Sequence, residues 1–128
     1  METGQTDIVY SKKFLEHKTR MSYEKPLRLE VALESLQNLG MFSTGKCVIA
    51  EPRMASIEEI SLVHDLNYIE EIRSLCLVGG GYYDDDTYLS KESFEVASLA
   101  VGGILKVCEG VFKLSLIHIS EPTRQAEI

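Results

Sequence analysis

The sequence predicts an α/β fold with a parallel sheet. Three observations carry that expectation. Two short β-branched runs, Asp7–Tyr10 and Lys46–Ala50, flank a leucine stripe of helical period between Pro26 and Gly40. Capping residues at Ser56 and Asp65 announce further helices, and a long helix rich in small residues follows Ser90. Strand, helix, strand, then several helices is the order that sets successive strands in parallel.

Asp7-Ile8-Val9-Tyr10 reads as the first strand. Lys12 to Glu24 is polar and aperiodic, carries His17, Arg20 and Glu24, and reads mostly as loop. Pro26 suits the start of a helix, where a missing N–H costs nothing. Leu29, Leu33, Leu36 and Leu39 continue that helix on one stripe, and Gly40 ends it. Arg28 lies in the first turn, where a cation is mildly unfavourable against the helix dipole; on its own it reads as a surface arginine. Lys46–Ala50 is the second strand. Ser56 with Glu59 fits a reciprocal capping box, predicting a short helix that ends near His64. Asp65 can cap the next helix, with Ile69, Ile72 and Cys76 on its inner face.

The stretch from Gly79 to Ser90, GGGYYDDDTYLS, then interrupts regular structure. Three consecutive glycines cost too much backbone entropy for a helix or strand interior, so a loop is expected. Asp84, Asp85 and Asp86 read by spacing as a solvated acidic turn. Ser90 is expected to cap the long helix, whose apolar stripe is Phe94, Ala97, Val101, Leu105 and Cys108. Gly102 and Gly103 in its interior cost about 2 kcal/mol against alanine. A cost of that size predicts another element packed very close.

Length and composition narrow the function. The 128 residues make one domain or part of one, and 45% hydrophobic content is that of a globular chain. A net charge of −7 argues against direct binding to nucleic acid. No apolar run is long enough for a membrane span, and no signal peptide opens the sequence. Cys47, Cys76 and Cys108 are odd in number, widely spaced and set among apolar residues. That is the pattern of reduced, buried thiols in a cytoplasmic protein.

From Leu114 the sequence runs LSLIHISEPTR, which resembles the translation of a sequencing-library adapter; Gln125–Ile128 would be the index after it. The expectation is therefore a natural domain segment over 1–113 and an adapter-derived tail over 114–128, with His118 excluded from any site. Leu114, Leu116, Ile117 and Ile119 are nonetheless β-formers, and a strand is expected over Leu114–Ile119.

Five features in order carry a family resemblance. They are Val9-Tyr10 followed by His17; Glu24-Lys25-Pro26-Leu27-Arg28-Leu29; MASIEEISLVHDLNYI from Met54 to Ile69; Asp86-Thr87; and Ala97-x-x-Ala100-x-Gly102-Gly103. Together they resemble the amino-terminal third of the histone deacetylase superfamily, which includes acetoin-utilisation proteins and acetylpolyamine amidohydrolases. One departure is Ser22-Tyr23-Glu24 where the family often has His-Pro-Glu.

The resemblance implies a partial arginase/deacetylase-like three-layer fold, truncated, from a zinc-dependent enzyme that hydrolyses acetyl-lysine or a similar acetylated amine. It implies that Asp86 orients substrate by accepting amide N–H bonds at the tunnel rim. Arg28 would line an internal cavity through which acetate leaves. Asp84 and Asp85 have no counterpart and keep the solvated-turn reading. The family's zinc ligands, proton-handling histidines and oxyanion-stabilising tyrosine fall beyond Lys113, so no metal is expected to bind this segment alone. The alternative is a small non-catalytic binding or scaffold module of α/β fold, which requires the tail to be genuine.

Overall fold

The computed structural model describes residues 5–18 and 25–120. Strand β1 (Thr6–Val9) pairs in parallel with β2 (Cys47–Ala50), in the register Thr6 to Cys47 through Val9 to Ala50. Flanking amides extend the ladder, Thr6 N–H to Lys46 O at 2.8 Å and Tyr10 N–H to Ala50 O at 3.1 Å. Between them runs α1 (Leu27–Asn38), with Pro26 in the capping position and its carbonyl accepting from Leu29. The helix stops where the sequence puts Gly40, at φ +74°. There Met41 N–H reaches Leu36 O and Gly40 N–H reaches Gln37 O, the paired bonds of a Schellman turn. Of the loop expected after β1, Lys12–Glu16 is a turn of 3-10 helix, and the rest falls partly outside the described residues.

Helix α2 (Ile57–Ile60) opens on the expected capping box. Ser56 Oγ accepts from Glu59 N–H at 3.1 Å, and Glu59 Oε1 accepts from Ser56 N–H at 2.9 Å. Asp65 caps α3 (Leu66–Leu77), which buries Ile69 and Cys76. Glu59 does more than cap. Both its oxygens meet the Arg53 guanidinium, at 3.0 and 2.9 Å, and the same guanidinium reaches Glu109 at 2.9 Å. The Arg53 fork and the Ser56 amide hold the Glu59 carboxyl down at about 2. Its folded value thus lies below its ordinary value of 4.5. The stability it contributes is full above that value and is lost as pH falls from there through about 2. Urea midpoints at pH 6 and pH 3 should differ less in Glu59→Gln than in the parent; an equal difference would count against this tie.

Helix α4 (Ser93–Ser120) packs across the segment between β2 and α2. A Cβ on Gly102 would stand 1.7 Å from Arg53 O and 2.9 Å from Ala55 N. One on Gly103 would meet Val9 Cγ1 at 2.5 Å. Ala55 N–H donates to Ser98 O at 3.1 Å across the same crossing. The close neighbours expected from the paired glycines are therefore the backbone of Arg53 and Ala55 at Gly102 and the side chains of Val9 and Pro52 at Gly103. This contact also turns the helix. Over residues 93–113 its buried residues are Ser93, Val96, Ser98, Leu99, Gly102 and Gly103, whereas Ala97 and Cys108 of the expected stripe are exposed. The glycine face goes innermost because only there can two backbones touch. Cys76 is buried, but Cys47 is only half-buried, so the three thiols do not share one environment.

Three sequence expectations are corrected. Gly79–Ser90 is not all loop: β3 (Gly80–Tyr82) and β4 (Tyr88–Ser90) form an antiparallel hairpin. The glycines enter the strand because Gly80 and Gly81 sit at φ +93° and +136°, beyond the reach of ordinary side chains. Ser90 does not cap α4. The first helical bond runs from Val96 N–H to Glu92 O, and Ser93 Oγ accepts from Ser90 N–H. Leu114–Ile119 is not a strand, since α4 runs on to Ser120. No glycine or proline separates Gly110 from Pro122, so adding residues to an existing helix is easier than starting a strand with no partner beside it. Among the described residues no helix is long and apolar enough to cross a membrane.

Candidate functional site

The site is built on the β3–β4 hairpin. A Cβ on Gly80 would lie 2.2 Å from Leu89 O, so the strands close only over glycine. Tyr82 and Tyr88 pack edge to face across the hairpin, with centroids 5.0 Å apart. At the tip, Tyr83 N–H donates to Thr87 O at 2.9 Å. Asp84 Oδ1 accepts from Asp86 N–H at 2.9 Å and from Thr87 N–H at 2.8 Å. These amides, with the Thr87 hydroxyl, hold the Asp84 carboxyl below the usual carboxylate range. Tyr83 Oη donates to Glu71 Oε2 on α3 at 2.7 Å, and that carboxylate pushes the phenol up to about 12.

The two aspartates therefore differ. Asp84 spends an oxygen on the loop's own amides, while the Asp86 carboxylate accepts no hydrogen bond from the described residues. Asp86 lines a cavity of about 490 Å³ together with Thr87, Tyr88, Tyr68, His17 and Ser93. A mostly apolar hollow with a few placed polar groups is the usual form of a small-molecule or side-chain pocket.

His17 forms part of a knot of hydroxyls. Its Nδ1 lies 2.6 Å from Ser93 Oγ, and Ser93 Oγ lies 3.0 Å from Ser90 Oγ. Ser90 Oγ donates its single proton to Glu16 O at 3.0 Å and accepts from Lys18 N–H. The Ser93 proton goes either to Ser90 or to His17 Nδ1, according to the histidine tautomer.

His17 also lines a second cavity, of about 330 Å³, with Arg28, Lys25, Pro26, Phe14 and Leu29. Arg28 and Asp86 thus lie in different hollows, and His17 borders both. Arg28 is exposed at the start of α1, and a guanidinium beside a lysine suits a carboxylate. His64, expected as a connector, donates its amide to Ile60 O and rests its ring 5.5 Å from Tyr68. Among the described residues, no three of His, Cys, Asp and Glu come together to hold a metal.

The histone deacetylase domain pattern matches residues 22–122. The chain belongs to the histone deacetylase domain family. It is 31% identical over 109 residues to the "Probable deacetylase" of Archaeoglobus fulgidus, covering 83% of this chain and 30% of that protein. It is 32% identical over 95 residues to the polyamine deacetylase HDAC10 of Homo sapiens, covering 69% of this chain and 14% of that protein. The fold resembles the crystal structure of the HDA15 HD domain with a TM-score of 0.73 at 22% identity, over 87% of this chain and 33% of that one. The chain spans a third or less of each of these proteins.

Sequence reasoning singled out Asp86 and Arg28, read Asp84 as a solvated turn, and did not foresee the Asp84 amide clamp, the Tyr83–Glu71 tie or the His17–Ser93 contact. Of these three contacts, only the clamp had a local signal. An aspartate two residues before another polar turn residue is the spacing of an Asx turn. The other contacts join residues far apart in sequence, and no short motif announces them.

Proposed function

We propose that this chain forms the amino-terminal, substrate-rim part of a zinc-dependent deacetylase acting on acetyl-lysine or a similar acetylated amine. Family membership supports the reaction class. The observation that carries the site is the contrast between Asp84, used by the loop, and Asp86, whose carboxylate lines the cavity and takes no bond from the described residues. In this reading Asp86 accepts amide N–H bonds on either side of the acetylated residue. Charge-assisted bonds are about twice as strong as neutral ones and suit a flexible substrate. Arg28, with Lys25, offers product acetate a cationic hollow. The zinc chemistry would depend on ligands outside the described residues. With Cys47, Cys76 and Cys108 unpaired, the compartment we propose is the cytoplasm. The same reading takes 1–113 as the domain segment and 114–128 as adapter-derived; sequencing the source DNA across codon 113 tests that division.

The decisive experiment is Asp86→Ala in the complete protein, assayed on an acetyl-lysine peptide. Two charge-assisted bonds lost should raise KM by about tenfold or more, each such bond being worth about 1.5–3 kcal/mol. Zinc content and Tm should stay as in the parent. An unchanged KM would remove Asp86 from the substrate site.

A further inference from the structure

We propose that Asp84 is the positioning residue that sets the place of Asp86. The inference rests on the deacetylase reading above and adds to it a residue that touches no substrate.

Five residues, 83–87, make the hairpin tip, and three backbone donors inside it are already assigned. Asp86 N–H and Thr87 N–H both point to one oxygen, Asp84 Oδ1, at 2.9 and 2.8 Å. Tyr83 N–H closes the tip on Thr87 O at 2.9 Å. The tip is in turn tied to α3 by Tyr83 Oη on Glu71 Oε2, and the Tyr83 ring stands edge-on to Tyr68, 5.6 Å away. Tyr68 lines the same cavity as Asp86. The backbone carrying Asp86 is thus held at its own amide by Asp84 and referred to the cavity wall through Tyr83.

Without the Asp84 oxygen, two adjacent amides lose their partner and turn to water. Each residue released from a single conformation regains backbone entropy, so the tip would sample states in which Asp86 is displaced. Asp86 itself would remain intact, but fewer molecules would present it correctly. Substrate affinity then falls while the chemical step does not. Asparagine keeps an Oδ1 acceptor of the same reach and is equally at home in an Asx turn. It should therefore serve nearly as well. That is the distinction from a merely acidic turn, in which charge would matter and geometry would not.

The test uses the complete protein and four variants, with hydrogen–deuterium exchange over the hairpin and steady-state kinetics on an acetyl-lysine peptide. Asp84→Ala should lose protection at two amides, raise KM about tenfold and keep kcat within about twofold. Asp84→Asn should restore both readouts, and Asp85→Ala should alter neither. Unchanged protection in Asp84→Ala overturns the clamp. Damage in Asp84→Asn equal to that in Asp84→Ala overturns it too, because charge would then be the operative property. If Asp86→Ala leaves KM unaltered, the substrate-rim reading fails. Exchange then still decides whether the clamp exists, but its positioning role is refuted.

Discussion

Gly102→Ala should destabilise the complete protein by at least about 3 kcal/mol, at the upper end of what overpacking usually costs. The added carbon would sit 1.7 Å from Arg53 O and 2.9 Å from Ala55 N. Both are backbone atoms, so no rotamer change relieves the clash. The segment they belong to is held on one side by the β1–β2 ladder and on the other by the Ser56–Glu59 box. Replacing glycine by alanine inside a helix ordinarily gains up to about 1 kcal/mol, and here that gain is outweighed. Gly110→Ala is the matching control. Nothing lies within 4 Å of its Cβ position, so it should stabilise by roughly that amount. Urea midpoints of the two variants, measured side by side, check the pair. A Gly102→Ala protein as stable as the parent would mean that the crossing is looser than described.

Produced alone, the 128-residue chain should show no sharp calorimetric unfolding transition, and added zinc should not create one. Among the described residues the buried apolar set is small: Ala55, Ile69, Cys76, Leu89, Val96 and Leu99. None of the larger side chains is fully buried. Leu62, Val63, Leu77 and Val78 are each more than three-quarters exposed, and α1 buries no residue at all. A two-stranded parallel ribbon has two open edges and gains independent stability only from further strands or a covering layer. Apolar faces of this size outside a continuous core should bind a hydrophobic dye strongly. A single cooperative endotherm from the isolated chain would contradict the expectation, as would stoichiometric zinc retained through dialysis.

What could be foreseen from sequence was whatever one segment decides for itself. Ser56 and Glu59 satisfy each other within four residues, and Asp65 caps α3 with its own side chain. Gly102 and Gly103 disclosed a close approach because their cost had to be offset, although not the identity of the approaching strand exit. Failures arose where a distant partner chose between local options. Gly80 and Gly81 read as a break, yet the carbonyl of Leu89 requires a residue without a side chain there. Ser90 had the right chemistry for a cap, but Glu16 and Lys18 claim its hydroxyl. The β-formers after Lys113 had no neighbouring strand among the described residues and followed the helix already under way. At the site, Asp86 and Arg28 were singled out through the family resemblance alone, since spacing marked the first as a solvated turn and the second as a surface charge.

The knot around His17 also fixes an order of events while the chain is being made. His17 and Ser93 are 76 residues apart, and Lys13 and Glu95 are 82 apart. A ribosome adds about 5–20 residues per second, so the first turn after β1 waits roughly 4–15 s for the residues that hold it. Strand β1 can pair with β2 only once Cys47–Ala50 has emerged, and that two-stranded ribbon gains little stability of its own before a covering layer is added. The amino-terminal segment is locked only when the start of α4 arrives, so the wall between the two hollows is among the last features of this segment to form.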